Sequence, residues 1–379
     1  MTMFPGGNSE VSERIKRLRL VRRWDQATLA EKSGVTQPII SKIELGRVDP
    51  TSEQVDAIAS AFGYSPRFLT NNLRLTPTTR PWLRAYADAS KREADARTAA
   101  TTLAAEYIRT LGLKPLPDLI PEFGTPFGAA IDADHEIEDF ATEVRTLAQI
   151  EPGAAVPNAM RAAERLGCVV LPLESELGRH VGMSVRSDDL PIMCVAKGDA
   201  PGDRQRWTVA HELGHLALHA TMAPPRDSQE AHRMESQAHR FAGAFLCPAE
   251  PLLEALSDSG RKVTLRTLAE IKAEWGVAIK ALIHRLQDLG HIDADHARSL
   301  YKQISARRWN KYEPVHVSLE TAQWFERSLV RKAQADDLPT ACAHLASVIG
   351  GNPRDLLTFA DWSPGRDAEI VNITDRRRD

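Results

Sequence analysis

A mostly α-helical chain with one small β-sheet, an α+β fold, is what three features of this sequence predict. Residues 12–69 break into short helical pieces joined by tight, glycine-containing connections. Three short β-branched and apolar runs lie between 168 and 196. Immediately after them RQRWTVAHELGHLALH, residues 204–219, returns to a helical period. At 379 residues the chain exceeds one ordinary core and is expected to divide into several segments.

Composition narrows the class. With 42% hydrophobic and 26% charged residues the chain is ordinary globular protein. No run approaches the roughly 18 uncharged apolar residues of a membrane helix, and the start MTMFPGGNSEVSERIKR lacks the apolar centre of a signal peptide. A cytoplasmic protein with no membrane partner is expected. Cys168, Cys194, Cys247 and Cys342 form no C-x-x-C pair, which argues against a disulfide framework and a thiolate zinc knuckle alike. Residues 1–80 hold 12 Lys and Arg against 8 Asp and Glu, so a mildly basic head precedes a body carrying −7.

The head reads as a helix-turn-helix. Ile15, Leu18 and Val21 give a first helix one apolar stripe, and QATLAEK (26–32) gives a second that stops at Gly34. Thr36 can cap a third helix over 37–45, with Pro38 in the first turn where a missing amide costs nothing. A fourth, 52–62, adds Val55, Ile58, Ala59 and Phe62 to the same core. Such a third helix can enter a major groove of double-stranded operator DNA with Thr36, Gln37, Ser41 and Lys42 outward. Gln26, opening the preceding helix, is placed to touch a backbone phosphate. Ile39, Ile40 and Ile43 are read as core, and Glu44 as the ion-pair partner of a first-helix arginine, since a carboxylate facing phosphates would repel them.

Beyond residue 69 the composition shifts. Residues 81–111, rich in Ala, Arg and Glu without a clean apolar stripe, read as a helical connector. LKPLPDLIPEFGTPFGAAID, with four prolines in twenty residues from Leu113, reads as a linker. Helices are expected over 134–150 and 158–166, and strands over 168–173, 181–186 and 192–196, with a turn at 187–191.

The helix after those strands holds His211, Glu212 and His215 in H-E-x-x-H spacing. Residues four apart share a helix face, so both imidazoles can converge on one Zn2+. Asp203 is expected to cap this helix, and Pro224 and Pro225 to end it. A second helix is expected from Asp227 to before Pro248. Its small Ala238 and Ala242 would allow close packing, so that Glu235 reaches the ion as a third ligand and one position stays open for water. Glu212 is the expected catalytic base, taking the water proton and passing it to a leaving amine. His219 is read as structural, His239 as a residue lining the cleft, and His180 as a hydrogen-bond donor to a tetrahedral intermediate. Cys247 is read as a buried thiol.

Two resemblances follow. QATLAEKSGVTQPIISKIELGRVDPTSEQVDAIASAFG resembles the XRE, or phage Cro/C1-type, helix-turn-helix family, with its Gln, Leu-Ala, Gly-Val, Ser-Lys-Ile-Glu and Gly in register. RQRWTVAHELGHLALH followed by ESQAHRFAGAFLCP resembles the ImmA/IrrE metallopeptidases, with a weaker likeness in WGVAIKALIHRLQDLGHI. The second resemblance implies a gluzincin-like zinc peptidase that regulates transcription by cleaving an XRE-type repressor. The expected divisions are 10–75 for the DNA-binding head, 76–133 for connector and linker, 134–253 for the peptidase domain and 254–379 for a mostly helical C-terminal region.

In that last region 263–275 and 278–289 read as two amphipathic helices that buttress the zinc domain, ARRWNKYEPVHVS ends in strand-like alternation, and TDRRRD is a disordered tail. Two functions remain open at this point. One is a zinc endopeptidase tethered to a DNA-binding head, cutting a repressor or its own linker near 113–132. The other is an autoregulator or antitoxin whose peptidase-like domain holds a partner such as a toxin without proteolysis. A homodimer would suit paired operator half-sites.

Overall fold

The computed structural model describes residues 8–71, 91–114, 116–120, 134–173, 182–187, 190–198, 201–219, 222, 225–257 and 262–363. The head comprises α1 (Asn8–Val21), α2 (Gln26–Ser33), α3 (Gln37–Glu44), α4 (Ser52–Phe62) and the single turn α5 (Pro66–Leu69). Asp25 caps α2 by accepting the Thr28 amide at 2.7 Å, and Thr51 with Gln54 closes a reciprocal capping box on α4. Gly34 ends α2 in the left-handed region at φ 73°, which a side chain would resist. The tight turn into α3 depends on that glycine.

Then come α6 (Lys91–Thr110), α7 (Asp134–Leu147) and α8 (Ala159–Arg165), followed by strands β1 (Val169–Leu173), β2 (Gly182–Ser187) and β3 (Leu190–Ala196). The helices α9 (Gly202–Leu218), α10 (Ser228–Leu246), α11 (Ala249–Ser257), α12 (Leu265–Trp275), α13 (Ile279–Asp288) and α14 (Ala294–Ala306) complete the body. The chain closes with α15 (Trp324–Ala333), α16 (Leu338–Ile349) and α17 (Pro353–Ala360). Among the described residues no helix is long and apolar enough to cross a membrane.

Strand order is β1-β3-β2, with β1 parallel and β2 antiparallel to β3. Alternate strand residues serve two different cores. Val170, Met193 and Val195 join α7–α14, whereas Val169, Leu171, Ile192 and Cys194 join the head, α6 and α15–α17. Burial on both faces is why these strands read as continuous apolar runs. It also means that the segments divided at 75/76 and 253/254 in the sequence are not separate in the fold.

The clearest departure from expectation is α6. The connector is helical as expected, but it runs through the second core with Ala94, Ala99, Leu103, Ala104, Tyr107 and Ile108 buried, and Arg97, Thr101 and Glu106 buried beside them. A helix enclosed on several sides shows no single stripe, so the periodicity that would have marked it is absent. Its Glu106 accepts Arg14 at 2.5 Å and Arg17 at 3.3 Å, which fastens α1 to it. On the other side Asp355 of α17 takes a two-pronged bond from Arg22 at 2.6 and 3.0 Å.

Two smaller differences concern α9. Its N-cap is Pro201, and Asp203 instead lies buried in the first turn as the partner of Lys272. The segment ARRWNKYEPVHVS, 306–318, expected to end in strand-like alternation, forms no strand. This stretch and the residues after it lie across the start of α9, where Val317 O accepts the Gly202 amide at 3.2 Å and Glu320 accepts the first two amides of α8 at 2.7 and 3.1 Å. A Cβ at Gly202 would sit 2.2 Å from Ser318 O, so only glycine fits under this strap.

Candidate metal centre and nucleic-acid face

The centre is built where α9 crosses α10. Gly214 permits the approach, since a Cβ there would stand 3.0 Å from Phe241 and 3.3 Å from the Ala238 backbone. The far end of α10 is anchored as well: Arg145 donates to Phe245 O at 2.5 Å, and Arg285 to Cys247 O at 3.0 Å. These arginines satisfy carbonyls that a helix C-terminus leaves without partners. With both helices held, Glu235 faces the two histidines of α9.

His211 Nε2 and His215 Nε2 lie 3.1 Å apart. Glu235 Oε2 is 3.5 Å from the first and Glu235 Oε1 is 3.6 Å from the second. Donors about 2.0–2.1 Å from one tetrahedral ion stand about 3.3 Å from one another, so the two imidazole nitrogens and the Glu235 carboxylate, which meets each through a different oxygen, lie at separations compatible with a zinc site. His239 also comes close. Its ring centroid is 4.6 Å from that of His211, and a grouping of His211, Glu235 and His239 closes within 4.8 Å. Both His215 and His239 therefore stand beside the His211–Glu235 pair, and His239 also packs against Trp207 at 6.0 Å between ring centroids.

The protonation states suit a cation. Burial, reinforced by the charges of His211, His219 and His239, pushes His215 well below its ordinary value and keeps it neutral. Behind it, His215 Nδ1 lies 3.0 Å from His219 Nδ1, and His219 Nε2 lies 3.1 Å from Gln237 Oε1. Burial likewise lowers His219, to about 4.

Glu212, next to His211 on α9, reaches toward β2. Ser184 Oγ donates to Glu212 Oε2 at 2.6 Å. Burial raises the Glu212 carboxyl above its usual range, opposed by His211 and by that hydrogen bond. Room for it comes from Gly182, where a Cβ would lie 2.9 Å from Glu212 Oε1 and 2.4 Å from Thr208 Cγ2. Neither Gly182 nor Ser184 stood out in the sequence; their only signal is two small residues on one face of the strand before the H-E-x-x-H helix. Gln237 carried no signal, because its role depends on how α9 and α10 cross. His180 lies outside the described residues.

On the head, Arg19 of α1 grips Glu44 with bonds of 2.6 and 2.8 Å, the ion pair expected of that glutamate. Glu44 also accepts Gln26 Nε2 at 2.9 Å, and Gln26 Oε1 accepts Gln37 Nε2 at 3.1 Å. Gln26 is therefore half-buried in a chain that orients Gln37, while Thr36, Gln37 and Lys42 are exposed and Ser41 is partly so. Thr36 is the N-cap of α3, yet its side chain makes no capping bond. The four cysteines are free and buried, and burial raises Cys247 to about 12.

Residues 15–69 match a helix-turn-helix family, and residues 163–287 match the peptidase M78 family described as an IrrE N-terminal-like domain. The second match extends past the crossing of α9 and α10 through most of α13. No curated protein matches the chain. The amino-terminal segment is thus similar to helix-turn-helix domains, and the segment that carries α9 and α10 is similar to the IrrE N-terminal-like, metallopeptidase-like domain.

Proposed function

We propose that this chain is a DNA-binding transcriptional regulator whose body is a zinc-dependent endopeptidase, acting on an XRE-type repressor, on a related regulator or on itself. The observation that carries the reading is the convergence of His211, His215 and Glu235 one residue away from a buried, raised Glu212. Two imidazoles and one carboxylate are a donor set that suits Zn2+ and leaves a fourth position to water or substrate. A zinc ion held there supplies Lewis acidity to the scissile carbonyl.

Everything else falls to the side chains. Glu212 takes a proton from the attacking water as the water oxygen bonds to the carbonyl carbon. It returns that proton to the amine nitrogen when the carbon–nitrogen bond breaks. A carboxyl raised by burial is suited to both halves of this exchange, being a stronger base than an exposed glutamate and a competent acid afterwards. Ser184 holds one carboxylate oxygen, which leaves the other for the proton. His239, on the cleft wall, is placed to meet substrate.

For the head, α3 presents Thr36, Gln37, Ser41 and Lys42 to the major groove of operator DNA. Pinning of Gln37 by Gln26 reduces the ordering cost of a two-bond contact to an adenine edge. Because the head shares a core with the sheet that carries β2, DNA binding would bring the peptidase to proteins at the same operator and raise its local concentration there.

The test is to incubate the zinc-loaded chain with XRE-type repressors from the same genome, with and without Glu212→Gln. Cleavage by the native chain alone is the expected result. Equal cleavage by the variant, or none by either, sinks the proteolytic reading and leaves the partner-holding autoregulator or antitoxin.

A further inference from the structure

We infer that His219 and Gln237 are positioning residues that force His215 into the single tautomer able to bind a metal ion, an inference that rests on the metal centre proposed above. Gln237 presents its amide oxygen to His219 Nε2 at 3.1 Å, and an oxygen can only accept. His219 Nε2 must then carry the hydrogen. In a neutral imidazole that leaves His219 Nδ1 as a bare acceptor. His215 Nδ1, 3.0 Å away, must accordingly donate to it. His215 Nε2 is left with its lone pair, and this is the nitrogen that lies 3.1 Å from His211 Nε2 and 3.6 Å from Glu235 Oε1.

The arrangement is well shielded. His219 is 0% exposed and His215 2% exposed, so water cannot substitute for a lost partner without opening the helix crossing. The geometry also explains an otherwise costly choice. A fully enclosed imidazole beside another would be destabilising unless each hydrogen had a destination, and the amide of Gln237 provides the last one. Metal-binding histidines generally need an outer partner on the second ring nitrogen, and its loss weakens metal binding by roughly 10–100-fold. Here that partner is a second histidine, one helical turn away on α9, backed by a residue of α10. Ligand orientation therefore depends on the same helix crossing that delivers Glu235.

The full-length protein, labelled with 15N-histidine and freed of metal with chelator, gives a direct reading through two-bond 1H–15N correlations. The expected result is His215 protonated at Nδ1 and His219 protonated at Nε2. The opposite pair of tautomers would overturn the inference. Zinc affinity by chelator competition supplies the second measurement. His219→Phe and Gln237→Leu should bind roughly 10–100-fold more weakly than the native chain, while Gln237→Glu, which still accepts the hydrogen bond, should restore most of the loss. Native affinity in His219→Phe, or equal affinity in Gln237→Leu and Gln237→Glu, would reduce the pair to packing. If the tautomers hold but Glu212→Gln cleaves as well as the native chain, the peptidase reading falls and this inference stands.

Discussion

Ser184, on the edge strand of the sheet, donates a 2.6 Å hydrogen bond to Glu212 on the helix that carries both histidines. The bond opposes the upward push of burial on the carboxyl. Its removal in Ser184→Ala should raise the Glu212 pKa further. The acid limb of the pH–rate profile should then move to higher pH, with roughly a 10-fold loss of kcat below neutrality and less above it. Zinc content should not change. Identical profiles for variant and native chain would show that the serine does not hold the base.

Removing one donor should abolish metal binding where removing its neighbour does not. Glu235→Ala takes away a carboxylate whose oxygens lie 3.5 and 3.6 Å from the two imidazole nitrogens, and the purified variant should contain no stoichiometric zinc. His239→Ala should retain one zinc per chain under the reading in which His211, His215 and Glu235 are the donors. Elemental analysis of both proteins decides the matter; zinc retained by the first and lost from the second would exchange their assignments.

Acid should destabilise the metal-free protein over a defined window. His219 titrates near 4 in the folded chain against an ordinary value of 6.5. Between those values the unfolded chain binds the proton and the folded chain does not. Stability therefore rises with pH across this range and is lost as pH falls from 6.5 toward 4, by roughly 3 kcal/mol for this one group. His215, lowered for the same reason, adds in the same direction. Urea melts in the presence of chelator should show the slope, and His219→Phe should flatten much of it.

The head should not unfold on its own. Arg22, just past the end of α1, holds Asp355 of α17 with two bonds, Tyr64 also donates to that carboxylate, and Tyr107 of α6 lies 2.9 Å from Tyr64 between their hydroxyls. Asp355→Ala leaves the partly buried arginine without this partner and should cost about 3–5 kcal/mol. Calorimetry of the native chain should give one cooperative transition with the head included. A separate low-temperature transition for the head would contradict the shared core.

Gly182 offers a steric test of the same site. The Cβ introduced by Gly182→Ala would press on Thr208 and on the Glu212 carboxylate, at 2.4 and 2.9 Å. Overpacking of this kind costs roughly 1–3 kcal/mol, and the displaced base should lower kcat while zinc binding survives. Pairing it with Thr208→Ser removes the closer clash and should recover part of the stability. Full activity in Gly182→Ala would mean that Glu212 works from a different position.

Local pattern was enough for much of this protein. The start of α10 at Asp227, the apolar faces of α3 and α4, the three strands and the pairing of Glu44 with a first-helix arginine are all legible because each depends on residues close in sequence or on one familiar period. H-E-x-x-H with a following glutamate is legible for the same reason: four residues of helix place two side chains on one face. The burial of α6, the strap over Gly202, the small pair Gly182 and Ser184, and the line from Gln237 through His219 to His215 are of another kind. They arise where segments distant along the chain meet, and no period or spacing records which distant surfaces will touch. The sequence by itself put forward which residues could hold a metal ion and move a proton. Only the tertiary structure decided how those residues are oriented, because hydrogen-bond direction and close packing are set by the crossing of α9, α10 and β2.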